Sequence, residues 1–377
     1  MDHSIEDLLL LPATPLPAFD GEQVEMDDLI KSILSTKRCH NSPGELAFVA
    51  WLYKHLETLQ VKPKAMAEGA VVVELGVGGK TLFSCHVDTC HTSTESDGSL
   101  QPLFFDPAFG HIFCGDKKSG CLGADDGAGV YVMLKMIEAG VKGSYIFHRG
   151  EEKGCISAWA MVAKYSEWLK KFDACIAFDR PDLYEVICTQ GGQVCASVGY
   201  GTKLAQALSK EGLDYEVSHK GVLTDCKVYR QLIPECINLG VGYYNQHSNS
   251  EYLDWNHLKK LTSTVIGLDW DALKPERKIV TESQAWGNYQ KDYYGAPYKG
   301  KGAFTTPKPA PKPAPVKPIV VEDDFDDLED VKLEDMTSQE LDDYVGDEVL
   351  CKAIMNLVVE LDAERARVAR LQMLLGL

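Results

Sequence analysis

The sequence predicts an α/β fold, a sandwich built around a mostly parallel sheet, and three observations carry that prediction. Short apolar runs with strand character (Val71–Leu75, Thr81–Cys85, Ser144–His148, Ala174–Phe178, Cys236–Leu239) alternate with longer segments of helical period. Such alternation is what strands joined by helical crossovers produce. The chain has 377 residues, 45% of them hydrophobic, enough for a substantial core in one or two domains. Between two of these elements lies Gly120-Cys121-Leu122-Gly123-Ala124-Asp125-Asp126-Gly127-Ala128-Gly129, a pair of acids framed by small residues just ahead of a helical pattern. A paired acid in such a frame either caps a helix or holds a cation.

In chain order, residues 1–22 read as an extended arm. Leu29, Ile30, Ile33 and Leu34 share one face of a helix over about 25–36. A second helix covers about 43–60, opened by Ser42-Pro43, with Ala47, Trp51, Leu52, Leu56 and Leu59 inward. The period then changes to that of strands, at Val71–Leu75 and Thr81–Cys85, separated by Gly76, Gly78 and Gly79. A polar excursion runs from Thr89 to Gly120, in which Phe104-Phe105 and His111–Phe113 are spaced for a surface hairpin. Helices are expected over about 127–139 and 155–171, each followed by a buried strand. Then come a strand pair near 184–198, helices near 202–210 and from Asp225, and a strand at Tyr215–Val217. A long helix over about 255–272 follows the last core strand.

The net charge of −18 is unevenly spread. Residues 322–348 hold fourteen Asp and Glu against Lys332, a local balance of −13 that leaves only −5 elsewhere. The body carries no basic stripe, so nucleic acid is not expected as a partner. Six of the seventeen prolines fall in 307–318, a polyproline-type spacer. These features divide the chain into a main domain at 1–300, a Pro/Lys-rich linker at 301–321, an acidic segment at 322–336 and an amphipathic C-terminal helix at 337–377. That helix opens on the capping-box pattern Thr337-Ser338-Gln339-Glu340. Its stripe of Leu350, Ile354, Leu357, Leu361, Val368, Leu371 and Leu375 is broken by Glu364. Docking on the parent domain and a short coiled coil joining subunits into a homo-oligomer both fit it.

Twelve cysteines form no Cys-x-x-Cys pair, and spacings such as Cys85/Cys90 and Cys114/Cys121 do not match structural zinc sites. They read as buried thiols of a reducing compartment. Leu8–Leu11 is short, preceded by acids and stopped by Pro12, unlike a secretory signal. No run reaches membrane-spanning length. The expected setting is cytoplasmic, with no membrane partner.

The chemistry-bearing residues gather where ligands gather in open α/β sheets, at the carboxyl ends of strands. His86 and Asp88 follow one strand, Glu151 and Glu152 a second, and Asp179 a third. His247 comes after a fourth, through a Gly/Tyr-rich loop, and Asp125 opens the helix after the excursion. All are residue types that bind zinc or act as acid and base. Each also has a plain structural reading: Asp125 as a helix cap, Glu151-Glu152 as a solvated pair, Asp179 as the ion-pair partner of Arg180, His247 as loop.

Together, His86-Val87-Asp88-Thr89, Leu122-Gly123-Ala124-Asp125-Asp126-x-Ala128-Gly129, Glu151-Glu152, Asp179 and His247 resemble the co-catalytic zinc exopeptidases, which comprise the aminopeptidases, peptidase T and the glutamate-carboxypeptidase group. The resemblance runs from about 81 to 254, with its five blocks in the family's order. It implies a three-layer sandwich with a mixed, mostly parallel sheet and a site for two Zn2+, with Co2+ or Mn2+ as substitutes. By the same resemblance His86 and Asp179 bind one ion and Glu152 and His247 the other. Asp125 bridges them, with a cis bond after it. Asp88 orients the His86 ring, Glu151 is the general base, and Tyr243 or Tyr244 is a candidate oxyanion helper. Only 67 residues separate Asp179 from His247. An inserted lid domain would need roughly a hundred more, so the lidless branch is expected. Thr224-Asp225 resembles a turn of lidless relatives; the excursion is expected first as a surface hairpin, with a partial roof that brings His91 or His111 near substrate as the alternative. The implied activity is hydrolysis of short peptides, most simply as an aminopeptidase. N-acyl amino acid or carboxypeptidase-type amide hydrolysis on the same site, and a non-catalytic scaffold working through the acidic tail, remain open.

Overall fold

In the computed structural model, residues 26–116 and 118–279 are described. The expectations for the N-terminal arm, the linker, the acidic segment and the C-terminal helix lie outside these residues. The first two helices start where local chemistry says they should. In α1 (Asp28–Ser35) the Asp27 side chain accepts from the Ile30 amide at 2.9 Å. In α2 (Pro43–Thr58) Ser42 accepts from the Glu45 amide, and Pro43 occupies the first turn, where its missing N–H is no loss.

The main sheet has eight strands. These are β1 (Lys64–Ala65), β2 (Val71–Leu75), β3 (Thr81–His86), β6 (Gly143–His148), β7 (Ala174–Arg180), β8 (Glu185–Ile187), β11 (Glu216–Ser218) and β12 (Glu235–Gly240). Their spatial order is β1-β2-β6-β3-β7-β12-β8-β11. The central four, β6-β3-β7-β12, are parallel, and β2 and β8 run against them. Helices cover both faces: α3 (Ala124–Glu138), α4 (Ile156–Leu169), α5 (Val198–Ser209), α6 (Asp225–Val228) and α7 (Trp255–Gly267) complete the set. This is a three-layer sandwich. Adjacent residues of one strand feed opposite cores. Val71, Val73, Phe83, Cys85, Tyr145 and Phe147 pack with α1, α2, α3 and α7, whereas Val72, Leu82, Ile146 and Cys175 pack with α4 and α6. A strand buried on both faces has no polar side to alternate, which is why these read as unbroken apolar runs.

The excursion forms β4 (Leu103–Asp106) and β5 (His111–Cys114), the expected hairpin. It is more than a surface flap, because β5 pairs with β14 (Tyr252–Asp254), which pairs with β13 (Tyr243–Tyr244). This small antiparallel sheet carries the loop of His247. The segment between Asp179 and His247 is spent on β8, α5, β11, α6, β12 and β13, together with the short hairpin β9 (Thr189–Gln190) and β10 (Gln193–Val194). It holds no separate lid domain.

Some boundaries move. The last helix stops at Gly267 rather than 272, because Leu268 turns extended and Asp269 caps a fresh turn at Trp270–Ala272. That break lets Trp270 bury itself and donate its Nε1–H to Val265 O. The helix expected at 202–210 begins at Val198, since Ser197 caps it by accepting from the Tyr200 amide. The strand at 215–217 lies one residue later. All eleven described cysteines are free, and only Cys90 and Cys114 are not buried. Among the described residues no helix is long and apolar enough to cross a membrane.

Gly129 is a fixed requirement of the packing of α3 on β7. A Cβ there would stand 2.4 Å from the Phe178 carbonyl oxygen and 2.5 Å from Asp126 Oδ1. We expect Gly129→Ala to destabilise the fold by about 1–3 kcal/mol in urea unfolding. An unchanged midpoint would show that this contact yields.

Three buried histidines make the fold acid-sensitive. Burial pulls His91 and His257 down to about 4 and His148 to about 3, from an ordinary 6.5. The unfolded chain therefore takes up protons that the folded chain refuses. Stability is full above the ordinary histidine value and is lost as pH falls below it toward the depressed values. The slope is at most about 1.4 kcal/mol per pH unit per histidine. Between about pH 7 and about pH 5 in urea unfolding, His257→Gln should lose less stability on acidification than the parent.

Candidate metal centre

The four central strands end at one edge of the sheet, and the predicted site residues converge there. His86 is the last residue of β3, and its ring is buried. Its Nδ1 lies 3.0 Å from the backbone carbonyl of Asp88, which fixes the proton on that nitrogen and turns Nε2 inward. Nε2 stands 3.0 Å from Asp125 Oδ1 and 3.4 Å from Asp179 Oδ1. Asp125 presents its other oxygen, Oδ2, at 3.1 Å from His247 Nε2, and His247 Nε2 is 3.2 Å from Glu152 Oε1. One carboxylate thus faces both imidazoles, an oxygen to each. The Asp125–Asp126 bond is cis.

Two sets of donor atoms result, each within a span of 4.8 Å: His86, Asp125 and Asp179, and Cys90, Glu152 and His247. Nitrogen and carboxylate oxygen donors in such groups suit zinc. Glu152 Oε1 is buried and makes no aligned hydrogen bond among the described residues, so it has an open claim on a cation. The electrostatics agree. Burial drags the His86 imidazole down, but the charge of Asp179 and the bonds to Asp125 and Asp179 outweigh it, and its pKa ends well above the usual value. Burial likewise pushes Asp125 up, yet the bonds from His247 and His86 bring it net well below the carboxylate range. Burial raises Asp179 and Glu151, with neighbouring acids adding to the rise. The pocket is built to hold positive charge, and the residues present fit a pair of divalent ions.

Glu151 lies on the turn Glu151–Lys153 after β6, within electrostatic reach of His86 and Asp179 but outside both donor sets. Asp88 differs from expectation. Its carboxylate is 3.8 Å from His86 Nδ1, while Oδ1 accepts from the amides of Gly150 and Glu151 and Oδ2 from that of Glu152. It splints the Glu151-Glu152 turn, and its backbone carbonyl holds the imidazole. Tyr243 is buried with its hydroxyl donating to Asp179 Oδ1, which engages that candidate oxyanion donor, and the Tyr244 ring stacks on Tyr252 at 4.8 Å. His91 is buried between Thr89 and Gln101, and His111 stacks on Tyr252 in the small sheet. Thr224 donates its hydroxyl to Asp179 Oδ2, and Asp225 is buried beside it.

Three contributors left no mark in the sequence. Glu251 is buried, and its carboxylate accepts from the amides of Leu122, Gly123 and Asp125 at 2.7, 2.9 and 2.9 Å. Burial pushes its carboxyl up to about 7 against the pull of those bonds. Arg38 is fully buried and ties Val87 O, Gly123 O and Thr36 O together. Cys90 joins Glu152 and His247. Each acts across a long stretch of chain, through partners that only folding brings near; for Cys90 the one available hint is its position two residues after Asp88.

Neither the protein-family models nor the curated proteins give a match to this chain. Solved structures do match. Aminopeptidase PepT from Bacillus cereus ATCC 10987 superposes with a TM-score of 0.50 at 15% identity, over 63% of this chain and 95% of that one. A tripeptidase from Staphylococcus aureus subsp. aureus Mu50 gives 0.52 at 15% identity, over 63% and 95%. The PhTET1-12s dodecamer gives 0.50 at 15% identity, over 64% and 98%. At this identity the likeness establishes the fold alone, one shared with an aminopeptidase and a tripeptidase.

The Glu251 splint is testable. Glu251→Ala would leave three buried amides without acceptors, costing about 3 kcal/mol of stability and loosening bound metal by roughly 10–100-fold. Thermal unfolding and chelator competition read the two effects. No change in either would show that the 122–125 loop holds itself.

Proposed function

We propose that this chain is a metal-dependent exopeptidase that removes residues from the free amino end of short peptides. In this reading His86, Asp125 and Asp179 hold one Zn2+ and Asp125, Glu152 and His247 a second, with Co2+ or Mn2+ as substitutes, and Glu151 is the general base. The observation that carries it is Asp125, with one oxygen toward His86 and the other toward His247. The fold shared with an aminopeptidase and a tripeptidase supports the substrate class.

When bound, the two cations supply Lewis acidity for the scissile carbonyl and for a water. Glu151 takes the water's proton on its carboxylate and delivers it to the departing amine. Asp88 fixes where that carboxylate sits by gripping the amides of Gly150, Glu151 and Glu152. Tyr243 and Thr224 orient Asp179 through its two oxygens. Residues 1–300 form the catalytic domain, and residues 337–377 join copies of the chain through their apolar stripe.

Purified protein should carry two equivalents of metal and lose activity with chelator. Glu151→Gln should retain both metals and lose about 10²–10⁴-fold in kcat; a variant as active as the parent assigns the base elsewhere. A panel of free-amine and blocked peptides decides the direction of trimming. Cleavage of blocked substrates alone would replace the aminopeptidase by an N-acyl or carboxy-terminal hydrolase on the same centre. Removing 301–377 should lower the mass in solution by light scattering and leave activity per site unchanged.

A further inference from the structure

We propose that Cys90 is a ligand of the second cation, completing Glu152 and His247 with a thiolate. This rests on the dinuclear reading of the site and goes beyond it, since Cys90 has no place in the resemblance that pointed to the other residues. The thiol sulfur, a Glu152 carboxylate oxygen and His247 Nε2 all lie within 4.8 Å of one another. An ion with bonds of about 2.0–2.3 Å gathers donors up to about 4.6 Å apart, so a small side-chain rotation closes the set.

An independent observation points to an ion at this place. The Glu152 side chain is only 8% exposed, and its Oε1 stands 3.2 Å from His247 Nε2. That oxygen has no aligned donor among the described residues. A buried carboxylate oxygen facing a sulfur and an imidazole nitrogen that also lies 3.1 Å from Asp125 Oδ2 is an arrangement a metal satisfies. The backbone helps, since Cys90 follows Asp88 by two residues and Asp88 is clamped to the Glu152 turn. The sulfur is thereby tethered beside the carboxylate it would share an ion with. On binding, the thiol releases its proton to solvent and the sulfur donates to the ion as thiolate. A soft donor favours zinc, cobalt or cadmium over manganese or magnesium at this position, while the His86 position keeps only nitrogen and oxygen donors.

The test is a titration of the full-length chain with Co2+ alone, read by near-ultraviolet thiolate-to-cobalt charge transfer and by metal content. Wild type should take up two equivalents, with the band growing in alongside one of them. Cys90→Ser should lose the band and bind one of its two ions at least about tenfold more weakly. Cys114→Ser, which alters the other incompletely buried thiol among the described residues, should change neither. Two bound cobalt ions without the band, or a band that survives Cys90→Ser, overturns the Cys90 assignment and leaves the dinuclear site standing. One bound cobalt with a band that Cys90→Ser abolishes keeps Cys90 as ligand and removes the dinuclear reading. No uptake removes both. Peptide mapping of alkylated wild-type protein gives an answer independent of any variant's folding. Zn2+ should protect Cys90 from alkylation, and equal labelling with and without Zn2+ counts against the proposal.

Discussion

The structure is governed by a concentration of buried negative charge at one edge of the sheet. Asp88, Asp125, Asp126, Asp179, Asp225 and Glu251 are buried there, with Glu151 and Glu152 beside them. Two imidazoles and the fully buried Arg38 are among the positive groups nearby. Carboxylates taken out of water persist only if they are paired, hydrogen-bonded or bound to cations. Parallel strands force the problem, because their carboxyl ends bring consecutive loops to one place.

The acids solve it by dividing into two kinds. Asp125, Asp179 and Glu152 face imidazole nitrogens and present oxygens to the centre. Asp88, Asp126 and Glu251 turn instead to backbone amides: three for Asp88, those of His86 and Gly129 for Asp126, and three for Glu251. Such bonds give each buried acid a partner that water would otherwise supply. They fasten the β3, β6 and 122–125 loops to one another. Arg149, which holds Glu45 at 2.7 Å and Asn41 at 3.1 Å, ties the start of α2 to the same edge. The loops that carry the donors are thus held by side-chain bonds to backbone amides rather than by apolar packing alone.

Much of this was legible in the sequence, for physical reasons. Strands buried on both faces must be apolar throughout, so β3, β6, β7 and β12 stand out as runs, and their order with the helices fixes the layering. Donors that follow strand ends are visible once the strands are, which is how His86, Asp179 and the Glu151-Glu152 pair came to one place. What stayed hidden depends on partners distant in sequence. Glu251 meets the Leu122 amide across 129 positions. Asp88 shows the same limit: its neighbour His86 suggested a side-chain contact, yet its carboxylate is spent on amides about sixty positions on. The helix that breaks at Gly267 does so to bury one indole, a choice the apolar period could not register.

The placement of His247 has a consequence for exchange with solvent. Its loop joins β13 to β14 in the small sheet, while His86 and Asp179 belong to the main one. The His247 side chain is 50% exposed and the His86 side chain 2%. The centre therefore has an inner half sealed within one sheet and an outer half formed where two sheets meet. Any ion on the outer half has the shorter path to bulk water, and it also pins the small sheet to the large one. On the proposed dinuclear reading, the outer position would therefore exchange with solvent more readily than the inner one.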